Sequence, residues 1–340
     1  MRFTTPDYYE EFRCLAGECR DSCCIGWEIG IDDETARFYE NVQGDFGDRL
    51  HRCIRDGSFV LDEQERCPFL NRGGLCDIYT TLGKEHLCQI CTDHPRYFSW
   101  FGNAKEGGVG LCCEAAARLI VTRPLTLVTR DIPDDPGDDC DGALLELLRK
   151  ARAQMLSRLA GRGTLAEKTA SLLRFAEALQ SNLDNGINAL PAWENAPSGV
   201  FDADGMLGFL QTLEPMDADW HVFLANIREA RPDLPQPEVE DARFLSNIGS
   251  YFLYRYFLQG VFDGEILSRA KLAAAAMQVI GILWRYDRLV NGNACITALC
   301  DLAKAFSKEI EYSEENLDKL LDAAYLLKAF TSESLSGFLC

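Results

Sequence analysis

Past residue 142 the hydrophobic positions recur with a helical period. Leu165, Leu172, Ala176, Leu179 and Leu183 share a face, and Thr164 followed by Glu167 makes a capping box that starts a helix there. Phe244, Ile248, Tyr251 and Phe252 mark another helix, and the proline-rich segment 232–237 is read as a stiff connection between the two. Ile296, Leu299, Ala303, Phe306 and Ile310 build a further helix. Leu317, Leu320, Leu321 and Ala324 build the next, opened by a cap at Ser313. The longest apolar run, Leu272 to Trp284, is broken by Gln278 and is too short to span a bilayer, so it reads as a buried helix. No transmembrane segment is expected, and peripheral membrane contact stays open.

The first 125 residues behave differently, with turn signals at Gly26, Gly73-Gly74, Gly102-Asn103 and Gly107-Gly108 and no long helical period. Alternation over Trp27, Ile29 and Ile31 suits a short strand, or a turn onto a helix that begins after Asp32. Between 131 and 141 the chain holds six aspartates, two prolines and a glycine, a composition that cannot pack a core. The expected fold is therefore mainly α: a loop-rich N-terminal cysteine and metal-binding module over 1–130, an acidic linker over 131–141, and an all-α helical domain over 142–340.

Cysteine usage sharpens this division. Of 15 cysteines, all but four fall in the first 113 residues. Four thiolates at short spacing suit tetrahedral zinc or an iron–sulfur cluster, and the spacing here leaves both open. The candidate ligands are Cys14, Cys19, Cys23, Cys24, Cys67, Cys76, Cys88, Cys91 and Cys113. In the adjacent pairs 23–24 and 112–113, neighbouring side chains of extended chain point opposite ways, so one of each pair is expected to pack, and Cys23 and Cys113 are the preferred ligands. Cys53, Cys140, Cys295, Cys300 and Cys340 stand apart and are read as plain thiols. His51, His86 and His94 flank cysteines, as ligands or as donors to a coordinated sulfur, whereas His221 is read as structural.

A net charge of −19 argues against a nucleic-acid partner and favours, through steering, a basic or lysine-bearing one. The N-terminus lacks a basic-then-apolar signal pattern, so the chain is expected to act in the cytoplasm. There clustered cysteine means metal or redox chemistry before disulfides. A disulfide scaffold remains the reading if that compartment is wrong.

Three blocks of the sequence resemble one family. "PDYYEEFRCLAGECRDSCCIGWEIGIDDET" is similar to the opening of the bacterial flagellin lysine-N-methylases, "CPFLNRGGLCDIYTTLGKEHLCQICTDHPR" to their second block, and "LCCEAAARLI" to their third. That third block more usually reads Leu-Ser-Cys-Pro-Glu-Ala-Ala-Arg; here Cys112 stands at the serine, Glu114 at the proline and Ala115 at the glutamate. The resemblance implies methyl transfer from S-adenosylmethionine to lysine amines of flagellin, dependent on a [4Fe-4S] cluster held by cysteines from the nine above. A looser resemblance to small Cys-Cys zinc or iron proteins keeps a second reading, a non-catalytic metal-binding interaction protein.

The sequence shows no glycine-rich nucleotide loop. "EGGVG" (106–110) comes nearest and is read as a turn, and Gly26 stands where a Cys-x3-Cys-x2-Cys motif beginning at Cys19 would need its third cysteine. A lysine amine attacks a methyl sulfonium only when deprotonated, so the site needs aromatic walls that desolvate it, or a base. Trp27 and the run 94–101 supply aromatics. Trp27 and Arg96 are the candidate cofactor-binding residues, and Asp32, His94 and Tyr97 the candidate bases.

Overall fold

The computed structural model describes every residue except 136, 138, 237–240, 293–294 and 338–340. Cys340, two residues of the acidic segment and the last proline of 232–237 thus lie outside the described residues.

The chain opens with strand β1 (Arg2–Pro6) and then, after coil, α1 (Asp33–Glu40) and α2 (Gly44–Cys53). A small hairpin follows, β2 (Ile54–Arg55) and β3 (Ser58–Phe59), with two short helices behind it, α3 (Asp77–Leu82) and α4 (Gln89–Asp93). Next come β4 (Arg96–Phe101), β5 (Ala104–Val109), α5 (Glu114–Thr122) and β6 (Leu127–Asp131). The remainder is helical: α6 (Gly142–Ala160), α7 (Leu165–Asp184), α8 (Ala203–Leu210), α9 (Trp220–Ala230), α10 (Asp241–Tyr256), α11 (Gly260–Asp263), α12 (Ile266–Asn291), α13 (Ile296–Glu311), α14 (Glu314–Leu326) and α15 (Ser332–Ser336). The fold is mainly α.

The expected starts hold at their caps. Thr164 and Glu167 bond reciprocally at the head of α7, the Ser313 side chain accepts from Asn316 N, and Asp32 caps α1. The apolar run from Leu272 lies in α12, which is long and apolar enough to cross a membrane. Its most apolar stretch is 94% buried inside the protein, as a core helix is. The hydrophobic period did not single out α6, α8, α9, α11 or α15; α8 and α9 lie between α7 and the proline-rich segment.

The first 130 residues also hold a sheet that the turn signals hid. Its order is β4-β5-β1-β6, with β1 parallel to β5 and the other pairs antiparallel. "EGGVG" lies mostly in β5 and is not a turn. Tyr97 and Phe98 pair with Gly108 and Gly107, and a Cβ on Gly107 would sit 2.9 Å from the Phe3 ring, so those glycines make room for aromatic side chains.

The apolar core crosses the acidic segment. Phe3, Tyr8, Tyr9, Phe12, Phe101, Val109, Leu111 and the buried face of α5 pack with the helices. There α10 and α12 lie against each other, with α6, α7, α13 and α14 around them. Residues between them in sequence form a second core around Ile29, Tyr39, Leu50, Phe59, Phe69 and Ile78, and the cysteines gather at this one.

Candidate functional site

Cys88 stands at the N-terminal boundary of α4, and Cys91 lies one turn on, so their thiols meet at 3.3 Å. Cys67 and Cys88 are buried in the second core, and Cys24, Cys76 and Cys91 pack against it. Nonlocal backbone bonds bring these together: Cys67 N donates to Cys24 O at 2.8 Å, and Leu70 bridges to Cys76. The hydrogen bond shared with Cys91 lowers the Cys88 thiol, and the same bond raises Cys91. Burial, with Cys76 and Cys88 close by, pushes Cys67 up to about 12, and burial likewise raises Cys76.

A smaller group lies beside it. Cys113 stands at the N-terminal boundary of α5 and is pushed up to about 11 by burial, with Cys19 and Cys14 near enough to add to the shift. Cys19 Sγ lies 3.6 Å from a Glu114 carboxylate oxygen. Cys23 stands between the groups, its thiol raised first by its hydrogen bond to Cys24 and then by burial. Arg20 and Asp21 fasten this stretch to the helices: Arg20 pairs with Glu114 at 2.8 Å and Asp301 at 2.9 Å, and Asp21 with Lys304 at 3.2 Å and Lys308 at 2.5 Å.

Among the described residues no three His, Cys, Asp or Glu side chains surround one point closely enough to hold a metal ion. The donor chemistry of the larger group does fit a soft metal or cluster: five buried or half-buried thiols close together, whose thiolate form a bound cation would stabilise.

On the other side of α4 lies a cavity of about 410 Å³, lined by Trp27, Gln89, Ile90, Asp93, His94, Arg96, Tyr97, Phe98 and Trp100. Four of the five candidates for chemistry in the sequence are here; Asp32 is not among the lining residues. Trp27 donates through Nε1 to Cys23 O at 2.6 Å and lies between His94, stacked at 5.7 Å, and Tyr312 just past the end of α13, at 5.9 Å. Burial pushes His94 down to about 4, helped by the Lys308 charge, so its imidazole is neutral at pH 7. The Tyr97 hydroxyl is buried without a hydrogen-bond partner among the described residues, and burial raises its pKa well above the usual value. Behind its ring lies Arg255, at 4.4 Å from the centroid and 3.0 Å from the Glu311 carboxylate. Arg96 lies over the rings of Tyr9 and Phe12, at 5.5 and 5.1 Å, and makes no ion pair among the described residues.

Asp32 supports the site from behind. Its carboxylate accepts from Thr35 N at 3.0 Å, Thr35 Oγ1 at 2.9 Å and Gln89 N at 2.8 Å. Burial would raise its pKa, but these bonds outweigh it and hold the carboxyl below its usual range. Asp32→Ala should cost about 1–2 kcal/mol, the loss of a helix cap, with an orphaned Gln89 N–H at the head of α4. Asp32→Asn should keep most of that stability in thermal melts. An alanine variant as stable as the parent would remove this supporting role.

The histidines beside the cysteines are engaged elsewhere: His51 Nε2 lies 3.0 Å from Tyr39 O, and His86 stacks on Phe38 at 4.0 Å. His221 bonds to Leu213 O at 3.0 Å. Sequence reasoning missed Gln89 and Asp93, whose side chains bond at 2.7 Å one turn apart, and Tyr312, which lies more than two hundred residues away from Trp27 along the chain.

Comparison with known proteins adds to this geometry. The chain is 27% identical over 135 residues to the lysine-N-methylase of Salmonella typhimurium, a match that covers 36% of this chain and 33% of that relative. The lysine-N-methylase of Salmonella choleraesuis matches with the same figures. The flagellar biosynthetic protein FliU of Salmonella muenchen is 26% identical over 135 residues, with 78% of that relative covered. The chain thus spans about a third of the length of the two lysine-N-methylases, and these matches show a relationship to the flagellin lysine-N-methylase family. No protein-family model and no solved structure matches the chain.

Proposed function

We propose that the protein is a cytoplasmic protein-lysine N-methyltransferase that uses S-adenosylmethionine, acts on flagellin and depends on a [4Fe-4S] cluster. One observation carries the reading: the segment around α4 brings Cys88 and Cys91 to the thiol group and Gln89, Ile90, Asp93 and His94 to the aromatic cavity. The thiols that would hold the cluster are drawn from Cys24, Cys67, Cys76, Cys88 and Cys91, and the cluster would supply countercharge and a fixed position for α4. Cys14, Cys19 and Cys113, with Cys23 between, form the reserve from which a second site would be drawn.

In the cavity the methyl donor supplies an electrophilic methyl group. The chain's own residues prepare the nucleophile. Trp27, Phe98 and Trp100 exclude water and lower the pKa of an entering lysine amine, and the Trp27 ring suits a cationic sulfonium, the Phe98 and Trp100 rings already carrying Lys105 at 4.7 and 4.3 Å. Neutral His94 would accept a proton, and Tyr97 would support it as part of the cavity wall, its hydroxyl lying over Gly108. Arg96 is free of ion pairs among the described residues and suits an anionic group of the donor.

The test is anaerobic incubation with flagellin and S-adenosylmethionine, read by mass spectrometry. Methylated lysine is expected, with the rate falling about 100-fold or more in His94→Ala. Protein that carries zinc and leaves every lysine unmodified would be the interaction protein instead.

A further inference from the structure

The strand that floors the cavity is also the end of its sheet. In the order β4-β5-β1-β6, β4 pairs on one side only, and among the described residues no segment other than β5 bonds its backbone over Arg96–Phe101. Pro95 O accepts from Gly110 N at 2.7 Å. Pro95 therefore sits at a bonded position of the antiparallel ladder, and alternation turns the N–H and C=O groups of Tyr97, Ser99 and Phe101 toward β5. Those of Arg96, Phe98 and Trp100 face the open edge. The side chains of the same three residues share one face of the strand, and all three line the cavity.

An edge of this kind is normally blunted by charge, by proline or by a covering segment. Here the one charge on the strand, Arg96, is folded over Tyr9 and Phe12. Lys105, on the neighbouring strand, is held by Asp135 at 2.8 Å. Its ammonium lies 4.7 and 4.3 Å over the Phe98 and Trp100 rings, and Asp135 also accepts from Trp100 Nε1 at 3.0 Å; the Asp93 carboxylate lines the cavity without such a cation among the described residues, and the whole chain carries −19.

We infer that β4 is a docking edge: an extended, lysine-bearing segment of the target protein adds to it as a further strand, and the lysine side chain enters the aromatic cavity beside it. Backbone hydrogen bonds to Arg96, Phe98 and Trp100 supply the attachment with little demand on sequence. The cavity, its Trp27 ring and Asp93 select a long cationic side chain. This inference rests on the lysine-methylation reading for the identity of its occupant.

The experiment uses overlapping lysine-containing flagellin peptides with the whole protein, followed by fluorescence anisotropy without methyl donor. The peptide that binds is then remade twice, with backbone N-methyl groups on its even or on its odd residues. Strand addition uses one edge of the peptide, so one series should lose at least about 10-fold in affinity and the other should bind as the parent does. Phe98→Pro, which removes an edge-facing N–H and spares the bonds to β5, should weaken the parent peptide by at least about 10-fold more than Phe98→Leu, which removes the same ring but keeps that N–H. Loss in both series, loss in neither, or no peptide binding at all overturns the proposal. So does self-association through this edge in sedimentation, which would make the occupant a second copy of the chain. The two readings fail separately: flagellin methylated with no alternation removes the docking edge alone, and alternating binding without methylation removes the enzyme alone.

Discussion

Protein with Cys88 and Cys91 both changed to serine, purified anaerobically, should lose its bound iron and sulfide and with them nearly all methylation of flagellin. These two thiols lie 3.3 Å apart and share a hydrogen bond, so they form a donor pair already in contact. Serine keeps their size and removes the soft donor. Because α4 also carries Gln89, Asp93 and His94 to the cavity, loss of the anchor should reach the site as well as the metal. A drop in metal content of at least about 10-fold is expected, the scale seen when the support of a metal site is removed. Cys295→Ser is the matched control. Cys295 is exposed, caps α13 by accepting from Ala298 N at 3.3 Å, and serine caps as well. Changing Cys14, Cys19 and Cys113 separates one site from two: an undiminished iron content leaves a single site at the larger group, and a fall of about half reveals a second. If the Cys88/Cys91 variant keeps its full metal content, the larger group is not the site.

How much of this was legible from the chain depends on whether the signal is local. The capping box at Thr164 and Glu167, the cap at Ser313 and the buried run in α12 are set by residues within a turn or two of each other, and each was readable. The sheet was not. β1 pairs with β6 across more than a hundred residues, and β5 contains Gly107 and Gly108, which locally read as a turn. They are strand residues because Phe3, Tyr97 and Phe98 need the space above them, a reason that exists only once the strands are together.

The site divides in the same way. Trp27, His94, Arg96 and Tyr97 were found because the aromatic run stands beside the second cysteine block, and they do meet at one cavity. The cysteines were all visible, but not their grouping. That Cys24 packs with Cys67 and Cys88 while Cys14 lies toward Cys113 follows from nonlocal contacts, the Ile25–Arg66 bridge and the Arg20–Glu114 pair, which no spacing rule displays. Asp32 shows the limit of reasoning by residue type. A carboxylate near a metal-binding block reads as a base, yet both its oxygens are engaged in holding two helices.

The largest effect on stability should come from Glu106→Gln. Glu106, on β5 between Thr4 of β1 and Ser99 of β4, meets Arg152 of α6 through two hydrogen bonds of 2.6 and 2.7 Å. The residues are 5% and 4% exposed. Arg152 also donates to Tyr254 O at 2.9 Å, and the Tyr254 hydroxyl donates to Thr4 O at 2.8 Å, so the pair joins the sheet to α6 and α10 behind the cavity floor. Glutamine keeps the shape and one acceptor but leaves the guanidinium buried without a countercharge. Breaking such a pair from one side costs about 3–5 kcal/mol, a large share of the roughly 5–15 kcal/mol that holds a domain folded. Urea unfolding followed by circular dichroism should show this as a midpoint shift without a change in slope. The pair itself contributes far less than its rupture costs, because both charges had to leave water to form it. The double variant Glu106→Leu with Arg152→Met, which removes both charges, should therefore recover most of the loss. A single variant within about 1 kcal/mol of the parent would mean that water reaches Arg152, and that the sheet and the helices are joined by apolar packing alone.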